Sequence, residues 1–294
     1  MFRNLKLRTK IILFGMSATL VPLLIVGFFV ADQNIAMRDA ATEESISLAR
    51  IDLDHIAEGV YRMCETQNDV LTKALRSYLN VAREITEDLG GISFAYENVP
   101  WNAVNQYTQG AIPVELPKML VGNTWFGQIQ DLSVTVPVVD RVKDLAEDVT
   151  CTVFQRMNAN GDMLRVATNV VKSDGTRAIG TYIPRTNPDG KANPVVSEVL
   201  RGQTFSGRAF VVDRWYLTTY EPIYNKDKYI VGMLYVGIPQ ESVQSLRQAI
   251  YDIQVGDTGY VYVLYSQGNY VISQNRTRDG EDISPPLAWP RVPE

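Results

Sequence analysis

Residues Thr150–Thr168 read TCTVFQRMNANGDMLRVAT. Two runs rich in β-branched and apolar residues flank Asn158–Gly161, a cluster of turn formers, and that arrangement predicts an antiparallel hairpin. Working outward, Asp174-Gly175 and Asp189-Gly190 mark further turns, and Val195–Leu200 reads as a short helix closed by Arg201 and Gly202. Two long strands are expected next, Gly207–Pro222 and Tyr229–Ile238, separated by the polar turn Asn225–Lys228. Upstream, Thr135–Ala146 (TVPVVDRVKDLA) reads as a helix crossing one face of the sheet. The pattern predicts an α+β domain: an antiparallel sheet with flanking helices.

The region before this domain has a different period. Between Ile35 and Leu89 there is no proline and a single glycine, Gly59. Apolar residues recur at Ile46, Ala49, Leu53, Ile56, Val60 and Met63, in alternating steps of three and four. That is the seam of a helix lying along another helix, and it continues through Gln67, Val70 and Ala74 before a four-residue step moves it to Tyr78, Val81 and Ile85. Such a stutter locally unwinds a supercoil. The span from Ile46 to Ile85 would be roughly 60 Å long as a helix, more than a globular core needs. We expect its distal half to pack on the globular domain and its proximal half to pair with a second copy as a homodimer. His55, the only histidine, sits beside the seam and reads as a helix-surface or interface residue.

From Ile11 to Ala31 the sequence carries no charge. A helix of that length crosses a hydrocarbon core of about 30 Å, and Pro22 and Gly27 are tolerated in such spans. A cleaved signal peptide is the competing reading, but its apolar region normally runs only ~7–15 residues, and Phe29-Val30-Ala31 places a bulky residue where a cleavage site wants a small one. Arg3, Lys6, Arg8 and Lys10 precede the span and orient it with the N-terminus in the cytoplasm. The expected organisation is a cytoplasmic N-terminus (1–10), a transmembrane helix (11–31), a long stalk (32–90), a globular domain (91–245), and the start of a second, incomplete unit with a tail (246–294). The chain would be single-pass in the inner (plasma) membrane, with its main domain periplasmic.

With 294 residues, 46% of them apolar, the chain can bury a substantial core, and a formal charge of −5 offers no general attraction to nucleic acid. Cys64 and Cys151 fall in different expected elements and form no disulfide framework; two isolated small apolar residues is the better reading.

Four blocks then resemble a known family: Cys151–Val170, Asp174–Pro184 (DGTRAIGTYIP), Gly207–Ile223 (GRAFVVDRWYLTTYEPI) and Ile230–Pro239 (IVGMLYVGIP). In this order they are similar to the Cache sensor domains of bacterial chemoreceptors and sensor kinases, in particular the Cache 3/Cache 2 fusion type. The resemblance implies a PAS-like sheet on a membrane tether that binds a small metabolite and relays a shift along its helices to a cytoplasmic output. Tyr251–Tyr270 looks like the opening of a second, membrane-proximal Cache unit, with strands expected at Tyr260–Tyr265 and Tyr270–Ser273. The sequence departs from the family in lacking a second span and signalling helices, so either this is a truncated receptor or the signalling parts lie on another chain.

On the expected Gly207–Pro222 strand the period-two alternation puts Arg208, Phe210, Val212, Arg214, Tyr216, Thr218 and Tyr220 on one face. A buried arginine can grip a carboxylate with two parallel hydrogen bonds, and tyrosines supply apolar walls ending in donors. The candidate ligand-binding residues are therefore Arg208, Tyr216 and Tyr220, with Tyr235 on the neighbouring strand and Arg165 on the earlier hairpin. The bland alternative is a set of core, rim and solvated positions.

The expected partner is a small molecule, an organic acid, amino acid or similar compound, with no cofactor, no metal and no nucleic acid. The chain contains no HExxH, GxSxG or phosphate-binding lysine loop and one histidine, which argues against an enzyme. The alternative is a membrane-tethered scaffold that binds a protein through its stalk or sheet. A pocket on the Arg208 face would distinguish the two.

Overall fold

The computed structural model describes residues 6–240, 244–264, 268 and 270–281. The chain divides into two compact units, Met1–Arg62 and Met63–Glu294. Helix α1, Leu7–Asp88, runs through the apolar N-terminal segment and the seam. Its stretch from Ile11 is apolar and long enough to cross a membrane.

In the second unit an eight-stranded sheet forms from β1 (Ile92–Asn105), β2 (Ala111–Val121), β3 (Thr150–Arg156), β4 (Met163–Thr168), β5 (Thr181–Ile183), β6 (Phe205–Val211), β7 (Arg214–Tyr224) and β8 (Ile230–Pro239), in the spatial order β2-β1-β5-β4-β3-β8-β7-β6. All pairings are antiparallel except β1 with β5. The run β4-β3-β8-β7-β6 places the first hairpin beside the last strand, which is the PAS arrangement. The β3–β4 hairpin forms as its turn residues predict. Asn158 accepts hydrogen bonds from the backbone of Gly161 (2.9 Å) and Asp162, while Gly161 adopts φ 102°, a region that a side chain disfavours.

Two cores follow from the alternation of side chains across the strands. On one face Cys151, Val153, Leu164, Leu234 and Val236 pack under the Met63–Asp88 part of α1 and under α2 (Pro137–Lys143). On the other, Phe154, Met163, Met233, Tyr220 and Tyr235 pack under α3 (Pro194–Leu200). The distal half of α1 does lie on the globular core. The buried stripe is Leu75, Leu79 and Ala82, one position around from the expected Ala74, Tyr78 and Val81, which flank it half-buried.

Helix α2 is shorter than the expected Thr135–Ala146. Pro137 opens it, and the Asp140 carboxylate accepts from the Val136 amide at 2.7 Å, fixing its start. Helix α3 is capped by Asn193, whose side chain accepts from the Val196 amide at 3.3 Å. Cys64 and Cys151 are free thiols, and burial pushes the Cys151 thiol pKa up.

Two strand expectations need correction. Gly207–Pro222 is not one strand: Val212 and Asp213 form a tight turn between β6 and β7, with Val212 at φ 61°. A β-branched residue is a poor turn former in the left-handed region, so nothing in the residue types marks this break. The expected strand Tyr260–Tyr265 is also divided. Gly259–Tyr260 (β10) pairs with Gln254–Val255 (β9), and Val263–Leu264 (β11) pairs with Tyr270–Ile272 (β12). Between them and β8 lies α4, Gln244–Tyr251, whose Arg247 is tied to Asp279 at 2.6 Å. The expected tail from Ser284 to Glu294 lies outside the described residues.

Candidate functional site

The Val212-Asp213 turn reverses side-chain parity along the hairpin. Cross-strand partners are Ala209 with Tyr216, Gly207 with Thr218 and Phe205 with Tyr220, while Arg208 faces Leu217. Residues directly opposite share a face, so Arg208 lies on the face opposite to Tyr216 and Tyr220. It is exposed, and its guanidinium stacks over the Trp215 ring at 3.9 Å. The expectation that Arg208 lines a face with these tyrosines is therefore corrected. Four of the five expected residues do converge: Arg165, Tyr216, Tyr220 and Tyr235 are all buried on the α3 side of the sheet.

Arg165 is the centre of this group. It is fully buried, reached from β4. One terminal nitrogen donates to Thr181 Oγ1 at 2.6 Å and the other to Gln106 Oε1 at 3.0 Å, and the guanidinium stacks on Phe154 at 5.0 Å. Its Nε has no hydrogen-bond partner among the described residues. Among the described residues no carboxylate pairs with it, and burial pushes its pKa down, with the nearby tyrosines acting the other way.

The tyrosines form a ring cluster around Phe154. Tyr220 and Tyr235 stand with centroids 4.8 Å apart, and Phe154 lies 6.2 Å from Tyr220 and 6.4 Å from Tyr235. The Tyr220 hydroxyl, fully buried, has no hydrogen-bond partner among the described residues. Tyr235 shares a 2.9 Å hydrogen bond with Thr150, and its ring lies across Gly237, where a Cβ would coincide with the phenol. Burial pushes both phenols' pKa up, and the Arg165 charge opposes this.

The turn between β1 and β2 closes one side. Gln106 donates from Nε2 to the Phe210 carbonyl at 3.1 Å, which aims its Oε1 at Arg165. Tyr107 stacks on Phe210 at 6.0 Å, and Asn193 donates to the Tyr107 hydroxyl at 3.1 Å. Sequence reasoning missed Gln106, Thr181 and Phe154. Phe154 carried a usable signal: the β3–β4 register places it directly opposite Arg165. Gln106 carried none, being 59 residues away in sequence on a turn.

A second buried arginine, Arg177, is fully used. It pairs with both oxygens of Asp140 at 2.9 Å each and donates to the carbonyls of Thr168 (2.9 Å), Val134 (3.0 Å) and Asp131 (3.3 Å). Among the described residues no group of three or more His, Cys, Asp or Glu could hold a metal ion.

The PAS strand order and the helices on both faces now have a counterpart. The family model of the Cache 3/Cache 2 fusion domain matches residues 38–285. The chain belongs to this family. Its members are ligand-binding sensor modules, and this chain joins one to a helix apolar enough to span a membrane. Among solved structures, the ligand-binding domain of the Campylobacter jejuni chemoreceptor Tlp3 in complex with L-valine is 16% identical, with a TM-score of 0.30 over 77% of this chain and 79% of that one. The Tlp3 sensory domain solved with isoleucine bound is 15% identical, with a TM-score of 0.28 over 72% and 73%. The extracellular domain of mmHK1S-Z2 is 15% identical, with a TM-score of 0.30 over 49% of this chain, which spans 58% of its length. No curated protein matches this chain.

Proposed function

We propose that this chain is the extracytoplasmic ligand-sensing region of a membrane signal transducer, and that a small anionic molecule binds beside Arg165, Tyr220, Tyr235 and Tyr216. One observation carries this reading: two donors, Arg165 Nε and Tyr220 Oη, are fully buried and unpartnered within one aromatic cluster. Burying a guanidinium without a carboxylate costs stability, so a purely structural role would be better served by an apolar side chain. A ligand bearing a negative charge removes that cost when it binds. Arg208 belongs to this proposal only as an edge residue outside the pocket.

Strand β7 offers the relay. Tyr220 faces the site, and the next residue, Glu221, projects to the other face, where it takes two hydrogen bonds from Arg83 of α1 at 2.8 and 2.7 Å. A ligand that shifts β7 would thereby pull on the helix. The membrane span over 11–31, preceded by basic residues, puts the N-terminus in the cytoplasm and the sensor in the periplasm of an inner-membrane protein. Ile46 and Leu53, both about half exposed in the single chain, form the seam through which two stalks would pair as a homodimer. The reading assigns residues 91–245 as the sensor unit and 246–294 as the start of a second, incomplete one with a tail. It makes the chain a non-catalytic binder.

The test is a melting series on the purified chain in detergent, followed by tryptophan fluorescence, against organic acids, amino acids and nucleobases. A ligand that binds only the folded state raises the melting temperature with the logarithm of its excess. Saturable stabilisation by one chemical class, lost in Arg165→Met while the apo protein stays folded, is the expected result. A chain that melts identically with every compound would favour the scaffold.

A further inference from the structure

We infer that the β1–β2 hairpin is a lever that carries the state of Arg165 to the end of α1, with Gln106 and Thr181 as its grip on the arginine and Gly122 as its joint to the helix. The inference rests on the reading that Arg165 belongs to a ligand site, and it concerns how that site is read out.

The hairpin lies outside the PAS run. Strands β2, β1 and β5 extend the sheet beyond β4. Among the described residues both hydrogen bonds of the Arg165 side chain go to this extension, one to Thr181 Oγ1 on β5 and one to Gln106 Oε1 just after β1. Strand β5 is bonded in turn to the tip of the hairpin: Val104 and Asn105 pair with Thr181 and Tyr182, and the Gln106 amide donates to the Tyr182 carbonyl at 3.1 Å. A guanidinium carries its donors in a rigid fork, so turning it toward a bound molecule strains or breaks the bonds it already makes. Those bonds converge on the hairpin tip.

From the tip the hairpin continues as a stiff arm. Its two strands pair without interruption from Val104 with Ala111 to Asn98 with Pro117, about 20 Å of ladder. Ala95, Tyr96 and Glu97 then bulge opposite Lys118, and Glu97 clamps that lysine at 2.6 Å. Beyond the bulge the ladder resumes and ends at Ile92 with Val121. One step further the Gly122 amide donates to the Gly91 carbonyl at 2.7 Å. Gly122 has φ 61°, and a Cβ there would coincide with the Leu89 carbonyl oxygen, so backbone meets backbone where α1 ends. No side chain stands at this joint to absorb a displacement by changing rotamer. A shift of the arm therefore reaches the last turn of α1, where the amides of Gly90 and Gly91 donate to the carbonyls of Glu87 and Thr86 at 2.9 Å each. Glu221 meets α1 elsewhere, at Arg83, so the two routes can be told apart.

The experiment needs no identified ligand. Amide hydrogen exchange is followed by mass spectrometry on the full chain in detergent, in the wild type, in Arg165→Met and in Gln106→Ala, since each substitution releases the tip. In both variants exchange should quicken at least about fivefold at the tip, 106–109, and at the joint, 89–91 and 121–123, while the central strands β3 and β8 stay within about twofold of wild type. Faster exchange at the tip with an unchanged joint would overturn the lever and leave the site reading standing. An unchanged tip would overturn it as well, because Arg165 would then not hold the hairpin. Should Arg165→Met quicken exchange throughout the domain, the arginine is architecture and the site reading falls. Gln106→Ala, which keeps the arginine, then decides the lever alone: quickening confined to tip and joint supports it, and any other pattern overturns it.

Discussion

Arg165 and Arg177 lie in the same domain, equally buried, and have opposite surroundings. Arg177 meets a bidentate carboxylate and three backbone carbonyls, and through Asp140 it ties the loop before α2 and the start of that helix to the sheet. Arg165 meets one hydroxyl, one amide oxygen and a ring, and keeps a donor unused. A satisfied buried charge reads as architecture. An unsatisfied one reads as a place prepared for something that is not part of the chain, because a protein without such a ligand would be more stable with an apolar residue there.

That contrast is open to direct attack by substitution. Arg177→Met should have the largest effect, about 3–5 kcal/mol of destabilisation in urea melts, because it strands the Asp140 carboxylate in a partly buried position. A loss under about 1 kcal/mol would mean that Arg177 is no more structural than Arg165. Gly237→Ala should come next, at about 1–3 kcal/mol, since the new methyl must displace the Tyr235 ring; ligand stabilisation should disappear with it. Arg165→Met should leave the apo protein within about 1 kcal/mol of wild type or make it more stable, while abolishing ligand-induced stabilisation. The smallest effect on folding belongs to Arg83→Ala at the other end of β7. Its guanidinium is nearly half exposed, so the loss should be at most about 1 kcal/mol. If β7 is the relay, ligand affinity stays near wild type in this variant, but ligand no longer slows amide exchange in the part of α1 around Arg83; unchanged protection would remove β7 from the relay.

Much of the fold was legible because it rests on local periodicity. The α1 helix follows from a proline-poor seam, the β3–β4 hairpin from NANG, and α3 from the Val195–Leu200 run closed by Arg201 and Gly202. The candidate site was legible in part. Tyr216, Tyr220, Tyr235 and Arg165 come together as types suited to a pocket, yet Arg208 was assigned to their face on the assumption of an unbroken strand. A Val-Asp pair carries no turn signature, and a two-residue turn shifts parity, so one unseen local feature moved the leading candidate to the opposite face. Leu75, Leu79 and Ala82 show the same limit in the helix: the period was readable, but which of two adjacent stripes meets the sheet depends on the sheet.

The amino-acid sequence by itself determined the class of this protein: a charge-free span, a long helix and an alternating α+β sensor domain, because hydrophobic period and turn chemistry are local properties. Only the tertiary structure decided that Arg165 rather than Arg208 holds the unspent charge, and that Gln106 stands against it. Those facts arise from burial and from which distant residues supply hydrogen bonds, and neither is encoded in any one stretch of the chain.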